Sequence, residues 1–182
     1  MWQWLIPLGL IVAGVLIYNS LVRLRQQTET AWSDVDVQLK RRHDLIPNLV
    51  ETVRGYAGHE KATLEAVIAA RARAIDAAGP AQQGRAEDTL TGALRSLFVL
   101  SESYPELKAA EGFQGLQRAL SEVEEDISQS RRYYNAVVRD YNIRVGQVPS
   151  NLVAKSFGFK EREFFQAETD ERVRPSVAFG NG

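Results

Sequence analysis

The stretch that decides the fold is residues 40–60, which read KRRHDLIPNLVETVRGYAGHE. Its apolar residues recur at gaps of three and four, the spacing of one face of an α-helix: Ile46, Leu49, Val53 and Tyr56. Pro47 predicts a bend inside this helix, and Gly55 and Gly58 predict its end. The stretch therefore sets where a long helix bends and where the chain turns back.

Upstream of this stretch, residues 1–22 carry no charged side chain. A helix needs about 20 apolar residues to span a bilayer, and Trp2, Trp4 and Tyr18 suit the two headgroup regions. A cleaved signal peptide would have a basic start and a small-x-small cleavage site, which this segment lacks. We predict a transmembrane anchor over residues 1–22.

The orientation of the anchor follows from its flanking charges. No basic residue precedes it, whereas Arg23 and Arg25 follow it directly. The positive-inside rule then places the N-terminus outside and the rest of the chain in the cytoplasm. The absence of cysteine from the sequence is compatible with that reducing compartment.

The apolar stripe continues without glycine or proline from the anchor to Pro47, which predicts one helix reaching about Gly55. A second helix is expected over residues 59–77 and a third over residues 85–104, with a loop at residues 79–84 between them. The inner face of the second helix is expected to hold Leu64, Val67, Ile68, Ala72 and Ile75. That of the third is expected to hold Leu90, Leu94, Leu97, Phe98 and either Val99 or Leu100.

A fourth helix, closed by Pro149, has the longest apolar seam: Phe113, Leu116, Leu120, Val123, Ile127, Tyr134, Val138, Tyr141 and Val145. The first cytoplasmic helix and the fourth are each roughly 55 Å long, and the middle two roughly 30 Å. Short connections favour antiparallel neighbours. We therefore predict an all-α fold, in which the transmembrane helix continues into a long antiparallel four-helix bundle whose first and last helices are longest.

The expected domains are the anchor at residues 1–22, the cytoplasmic bundle at residues 23–148 and a membrane-proximal tail at residues 149–182. Pairing the first and fourth helices antiparallel makes the numbers of facing residues add up to about 164. Two charge clusters then meet opposite charges: Arg41 and Arg42 face Glu122, Glu124 and Glu125, and Asp34 and Asp36 face Arg131 and Arg132. The alternative is two solvated faces whose complementarity is accidental.

Four phenylalanines alternate with basic residues in the tail: Phe157, Phe159, Phe164 and Phe165 lie among Lys155, Lys160 and Arg162. Such a segment either packs on the two long helices or lies in the lipid interface. Glu161 and Glu163 favour packing, because anionic lipid would repel them.

The quoted stretch resembles the signature of the LemA family of bacterial membrane proteins. Residues 31–39, AWSDVDVQL, and Arg132-Tyr133-Tyr134-Asn135 resemble it as well, and the match is collinear from about Tyr18 to Phe165. The resemblance implies a helical fold at the bacterial inner membrane with a cytoplasmic domain. It implies no particular biochemical activity, because the family has no settled one.

Catalytic and cofactor signatures are missing from the sequence. Neither histidine completes a Glu-x-x-His pair, and there is no zinc-protease pattern, glycine-rich phosphate loop or nucleophile elbow. We expect no enzyme activity, no catalytic residue, no metal and no cofactor. The net charge of −1 and the short basic run at residues 40–43 also argue against nucleic acid as a partner. That run is expected to be a solvated or salt-bridged helix face.

The expected function is therefore that of a membrane-anchored scaffold or interaction protein. Its partners would be the lipid bilayer and other copies of itself, and a homo-oligomer would organise or shape the membrane. The alternative is a membrane-tethered regulator or sensor whose bundle docks a cytoplasmic protein.

The flanking charges give a testable topology. A reporter fused after Gly182 is expected to be active in the cytoplasm, and one fused before Met1 outside, because Arg23 and Arg25 resist translocation. Paired alkaline phosphatase and fluorescent-protein fusions measure this directly. Phosphatase activity of the C-terminal fusion would contradict the predicted orientation.

Overall fold

A computed structural model describes residues 5–165, and every regular element in that range is a helix. The elements are α1 (Leu5–Ala57), α2 (Lys61–Ile75), α3 (Pro80–Ser101), α4 (Pro105–Ala109), α5 (Glu111–Gly146) and α6 (Ser150–Ser156). The all-α class predicted from the sequence is confirmed. Trp2, Trp4 and the tail beyond Phe165, which the sequence predictions included, lie outside the described residues.

Helix α1 is continuous over 53 residues and includes Pro47 and Gly55. It ends at Ala57, two residues later than expected, and the chain turns at Gly58. Its N-terminal part is long and apolar enough to cross a membrane. The large side chains of this part are exposed: Ile6, Leu8, Leu10, Ile11, Val12, Val15 and Leu16. A single helix thus joins a candidate membrane span to the packed part of the molecule.

Helices α1 and α5 pack side by side in antiparallel directions. The rings of Trp32 and Tyr134 are 5.3 Å apart, and Arg41 lies 3.4 Å from Asp126. This register differs from the expected one by less than one helical turn of about 3.6 residues. The buried contacts form a continuous seam: Ala31, Val35 and Leu39 from α1, and Val123, Ile127, Tyr134, Val137 and Val138 from α5.

At the end away from the apolar segment, a second core draws on α1 to α5. Helices α2 and α3 pack extensively on each other, and α4 bridges α1 and α5. The core contains Ile46, Leu49, Val50 and Val53 of α1 with Leu64, Val67, Ala70, Ala74, Leu90, Leu94, Leu97, Leu107, Phe113 and Leu120. The stretch quoted from the sequence thus lies in the most widely shared core of the molecule.

The predicted inner face of α2 is partly wrong. Leu64 and Val67 are buried, but Ile68 is 44% and Ile75 50% exposed, and Ala72 is exposed as well. Ala70 and Ala74 complete the buried face instead. The pattern was assigned from the large side chains, whereas small alanines occupy the positions where α2 approaches its neighbours closely.

The predicted loop at residues 79–84 is also wrong, because α3 starts at Pro80. Gly79 turns the chain with a φ of +79°, and Pro80 then occupies the first helical turn, where its missing N–H costs nothing. On the inner face of α3, Leu90, Leu94 and Leu97 are buried as expected, Phe98 and Leu100 are half-buried, and Val99 is 66% exposed. The short helices α4 and α6 were not predicted.

Candidate functional site

A buried polar cluster lies where α1 faces α3, inside an otherwise apolar core. Arg42 and Glu87 are 3% and 2% exposed. Arg42 Nη1 lies 3.3 Å from Glu87 Oε2 and 3.2 Å from Glu124 Oε2, and its Nη2 donates to Thr91 Oγ1 at 2.7 Å. One guanidinium therefore connects α1 with both α3 and α5.

The second oxygen of Glu87 completes the cluster. His43 Nε2 lies 2.7 Å from Glu87 Oε1, and Gln83 Nε2 donates to the same oxygen at 2.9 Å. Gln83 also donates to the carbonyl of Ala74, and Arg71 Nε donates to the carbonyl of His43 at 2.7 Å. The Glu87 carboxylate thus has three side-chain partners, as a buried charge requires.

The cluster borders a cleft of about 710 Å³ between α3 and α5. Arg42, Thr91 and Glu124 line one part of it. Leu94, Phe98 and Leu120 supply apolar lining, with Arg95, Glu102 and Glu125 among the charged residues around them. Within residues 5–165 no group of three His, Asp or Glu side chains is arranged to hold a metal ion. The cleft therefore offers apolar contact area with charged edges.

The ionic residues predicted from the sequence take partly different partners. Arg42 contacts Glu124, one of the residues expected to face it, and also Glu87 of α3, whereas Glu122 is exposed. Arg41 pairs with Asp126 at 3.4 Å. The basic run was expected to be a solvated or salt-bridged face; Arg42 and His43 are buried against Glu87, so these two positions are not solvated.

The second expected charge pairing is not formed in the described part of the chain. Arg131 lies 4.0 Å from Asp88 of α3, and Arg132 lies 3.9 Å from Glu125 within α5. Asp34 and Asp36 are exposed. Arg131 lies between Asp88 of α3 and the ring of Phe165, and the two aspartates face solvent.

The sequence did contain a signal for Glu87 and Gln83, which α3 contributes to the cluster. Gln83 and Glu87 extend the stripe of Leu90, Leu94 and Leu97 by gaps of four and three, so all five share one helix face. Assigning residues 79–84 to a loop concealed this continuation.

A second polar site lies on α5 and holds the start of the C-terminal tail; we call it the tail-binding face, formed by Tyr134, Asn135, Tyr141 and Asn142. Asn142 Nδ2 donates to the carbonyl of Arg162, and its Oδ1 accepts the N–H of Arg162, both at 2.9 Å. Asn135 makes the same pair of bonds with the main chain of Phe165, at 3.0 and 2.9 Å.

The two tyrosines of the tail-binding face add main-chain bonds of their own. Tyr141 donates its hydroxyl to the carbonyl of Lys160 at 3.0 Å, and Tyr134 donates to that of Glu163 at 2.9 Å. Six hydrogen bonds therefore hold residues 160–165, and all of them reach the backbone of the tail.

The four predicted tail phenylalanines divide into two pairs. Phe165 is 1% exposed; its ring lies 6.1 Å from that of Trp32 and under the guanidinium of Arg131 at 4.6 Å. Phe159 is also buried, with Tyr18 at 5.7 Å and Arg25 over its ring. Phe157 and Phe164 are 65% and 44% exposed, although Phe157 lies 4.8 Å from Tyr18. Two rings pack on the long helices, and two remain open to solvent or lipid.

Burial raises the pKa of the Tyr134 phenol above its ordinary value near 10, while the positive charge of Arg162 lowers it and Glu163 raises it. Burial likewise raises the pKa of Tyr141, against the lowering effects of Arg162 and Arg25. Both hydroxyls stay protonated at neutral pH, as donation to a carbonyl requires.

Comparisons with known proteins fit this architecture. The model of the LemA family matches residues 31–179, which agrees with the resemblance in the sequence. Protein LemA of Metamycoplasma hominis is 27% identical over 159 residues, covering 85% of this chain and 71% of that protein. Magnetosome protein MamQ 2 of Paramagnetospirillum magneticum is 26% identical over 175 residues, covering 82% of this chain and 64% of its own length. MamQ of Magnetospirillum gryphiswaldense is 24% identical with similar coverage. The chain thus spans slightly less than two thirds of the magnetosome relatives.

Replacing Glu87 tests the buried polar cluster. Glu87→Met is expected to reduce the free energy of unfolding by about 3 to 5 kcal/mol, because it leaves Arg42 buried with only the partly exposed Glu124 as its counter-ion. Adding Arg42→Met is expected to recover part of the loss. Denaturant unfolding of the full chain in detergent measures both. Glu122→Met, at an exposed position of α5, is the control and should change stability by less than about 0.5 kcal/mol; equal effects of Glu87→Met and Glu122→Met would contradict the cluster's role.

The tail-binding face gives a pH dependence. Because the pKa of Tyr134 and Tyr141 is higher in the folded chain than in the unfolded chain, their contribution is complete below about pH 10. It is lost as the pH rises through the raised values, where tyrosinate can no longer donate. Unfolding measured from neutral to strongly alkaline pH should show a steeper loss in the wild type than in Tyr134→Phe/Tyr141→Phe. Tyr133→Phe, on the exposed side of α5, should lose stability as steeply as the wild type. If the double variant lost stability just as steeply, Tyr134 and Tyr141 would not be the source of the pH dependence.

Proposed function

Since this chain belongs to the LemA family, we propose that it is a membrane-anchored helical scaffold and not an enzyme. The proposed arrangement is a single-pass protein of the bacterial inner membrane, with its N-terminus outside and its helical domain in the cytoplasm. The domain forms an antiparallel four-helix head on a stalk of two helices. Copies associate laterally and organise or shape the membrane to which they are anchored.

One observation carries this proposal: α1 runs without interruption from an exposed apolar segment into both cores. Ile6 and Leu16 are 73% and 65% exposed, whereas Leu21, Ala31 and Val35 on the same helix are fully buried. Exposed apolar side chains on a helix of this length are suited to lipid. The buried part of the helix then fixes the domain to the bilayer without a flexible linker.

The surface of the domain supports association with other helices. The cleft between α3 and α5 combines apolar lining from Leu94, Phe98 and Leu120 with charged edges, which is the usual anatomy of a protein interface. Val99, beside it, is 66% exposed. Anchoring would give neighbouring copies the same orientation and raise their local concentration, so that weak lateral contacts suffice.

The names of two relatives bear on the setting. MamQ is a magnetosome protein, and for this chain we propose a part in organising the membrane that holds its anchor. The buried polar cluster supports a structural role in this account, because Glu87 and its partners are used up in holding helices together.

The mass of the detergent-solubilised full chain tests the proposal. Wild-type protein is expected to form a homomeric assembly, measured by native mass spectrometry or by light scattering corrected for detergent. Val99→Glu, at the edge of the cleft, should shift the population towards smaller species. Val37→Glu on α1 is the matched control, since Val37 is similarly exposed at 61% but lies away from the cleft.

A monomeric wild type would overturn the scaffold. A monomer that repeatedly co-purifies with one cytoplasmic protein would favour the alternative, a membrane-tethered regulator. An assembly unaffected by Val99→Glu would retain the scaffold and remove the cleft as its interface.

A further inference from the structure

The tail-binding face recognises main chain in a repeating manner. Tyr134-Asn135 and Tyr141-Asn142 are the same dipeptide seven positions apart, and they bind tail residues three positions apart. Seven residues of α-helix rise about 10.5 Å, and three residues of extended chain span about 10 Å. The helix therefore repeats its pair of donors and acceptors at the spacing of an extended peptide.

Within residues 159–165, only the first and the last residue have buried side chains. Phe159 and Phe165 are 9% and 1% exposed, while the residues between them are exposed or half-buried. Among those, Arg162 forms an ion pair of 2.6 Å with Glu29 of α1. The recognised feature is thus an extended seven-residue peptide. Its first and last residues are aromatic, and its fourth and last residues each have a main-chain N–H that donates to an asparagine.

Gly158 turns the chain between α6 and the segment. Gly158 has a φ of +70°, and a Cβ placed on it would meet no atom within 4 Å. The short helix α6 and an exposed turn separate the segment from α5. The N–H of Phe159 donates to the carbonyl of Ala154 at 2.9 Å, which caps α6, so a segment that leaves the face gives up this bond as well.

We propose that the tail-binding face is a peptide site that accepts residues 159–165 of a second copy of this chain. A neighbouring copy brings the sequence already seated in the site, so each of the six backbone hydrogen bonds and both aromatic contacts can form between copies. Two copies standing side by side in one membrane can exchange tails reciprocally, which closes a symmetric pair. This inference rests on the proposed self-assembly and adds a second contact between copies to the one proposed at the cleft between α3 and α5.

The first test isolates recognition of the peptide. A fluorescent peptide amide of residues 157–165 is titrated onto full-length Arg162→Pro, whose own tail lacks the N–H that Asn142 accepts and the side chain that pairs with Glu29. Anisotropy should show saturable binding, at least about tenfold tighter than to wild type, in which the resident tail competes. Adding Asn135→Ala and Asn142→Ala to the variant should abolish binding; circular dichroism and thermal unfolding establish that each variant is folded.

N-methylated peptides provide matched controls for main-chain recognition. Methylation of the Arg162 or Phe165 nitrogen should weaken binding roughly tenfold or more, because each donates to an asparagine. Methylation at Glu161, whose N–H donates to none of the described residues, should leave the affinity within about threefold. Equal effects at all three nitrogens, or no binding to Arg162→Pro, would overturn the proposed site.

The second test asks whether the peptide is supplied by another copy. One full-length chain carries Arg162→Pro, which impairs its tail, and a differently tagged chain carries Asn135→Ala/Asn142→Ala, which impairs its face. Both chains, and the control, also carry Val99→Glu, which removes the proposed contact at the cleft. Co-expressed, the two should then co-purify through the intact face of one and the intact tail of the other, and neither should pair with itself. The control is a chain with all three of the tail and face substitutions, which should pair with neither.

The failures of the two proposals are distinguishable. If the mixed variants pair no better than each alone while the wild type still forms a large assembly, tail exchange is overturned and self-assembly stands. A monomeric wild type removes both the scaffold and the exchange.

Discussion

The antiparallel contact between α1 and α5 is the constraint on which the rest of the structure depends. It brings the end of α5 back beside the apolar part of α1, where Leu21, Tyr141 and Ala154 share a small core with Phe159. It also places Trp32 opposite Tyr134, which creates the position filled by Phe165. Without this pairing, the tail would contact α5 but not α1. The core formed by α1 to α5 would also lose the contact between its two longest helices.

The buried polar cluster complements that apolar contact. An apolar seam with residues every three or four positions can slide by a turn at modest cost, whereas Arg42 meets Glu87 and Glu124 only in one register. Buried ion pairs contribute little net stability because desolvation offsets their attraction. They favour one register instead, since a register that separates Arg42 from Glu124 or from Glu87 removes a counter-ion from a buried guanidinium.

Regular features of the sequence predicted the long helices, their lengths and the antiparallel order of the first and last, because strong periodicity over many turns leaves few alternatives. The errors have a common origin in side chains whose role depends on a distant partner. Ala70 and Ala74 carry little signal by themselves, yet they form the buried side of α2. Gln83 was assigned to the loop at residues 79–84, and Glu87 lay in the predicted third helix but was not placed on its buried face.

The tail-binding face illustrates the limit of such reasoning. The repeat of Tyr-Asn at positions 134 and 141 is visible in the sequence, and both tyrosines were expected on the buried seam. Their asparagine neighbours bind main chain, which is the same for every residue type except proline. The sequence therefore contains no pattern that identifies Arg162 and Phe165 as the residues to which these asparagines bind.

The continuity of α1 has a mechanical consequence for the proposed membrane arrangement. A helix without a linker transmits its angle as well as its position. From Arg23 to Ile46 it extends about 35 Å, so a tilt of about 20°, ordinary for spanning helices, displaces that point sideways by about 12 Å. Bilayer thickness, which influences tilt, would thus affect how closely two heads approach. In the proposed arrangement the helical domain would follow the tilt of α1, and neighbouring copies would respond to the bilayer through the angle of a single helix.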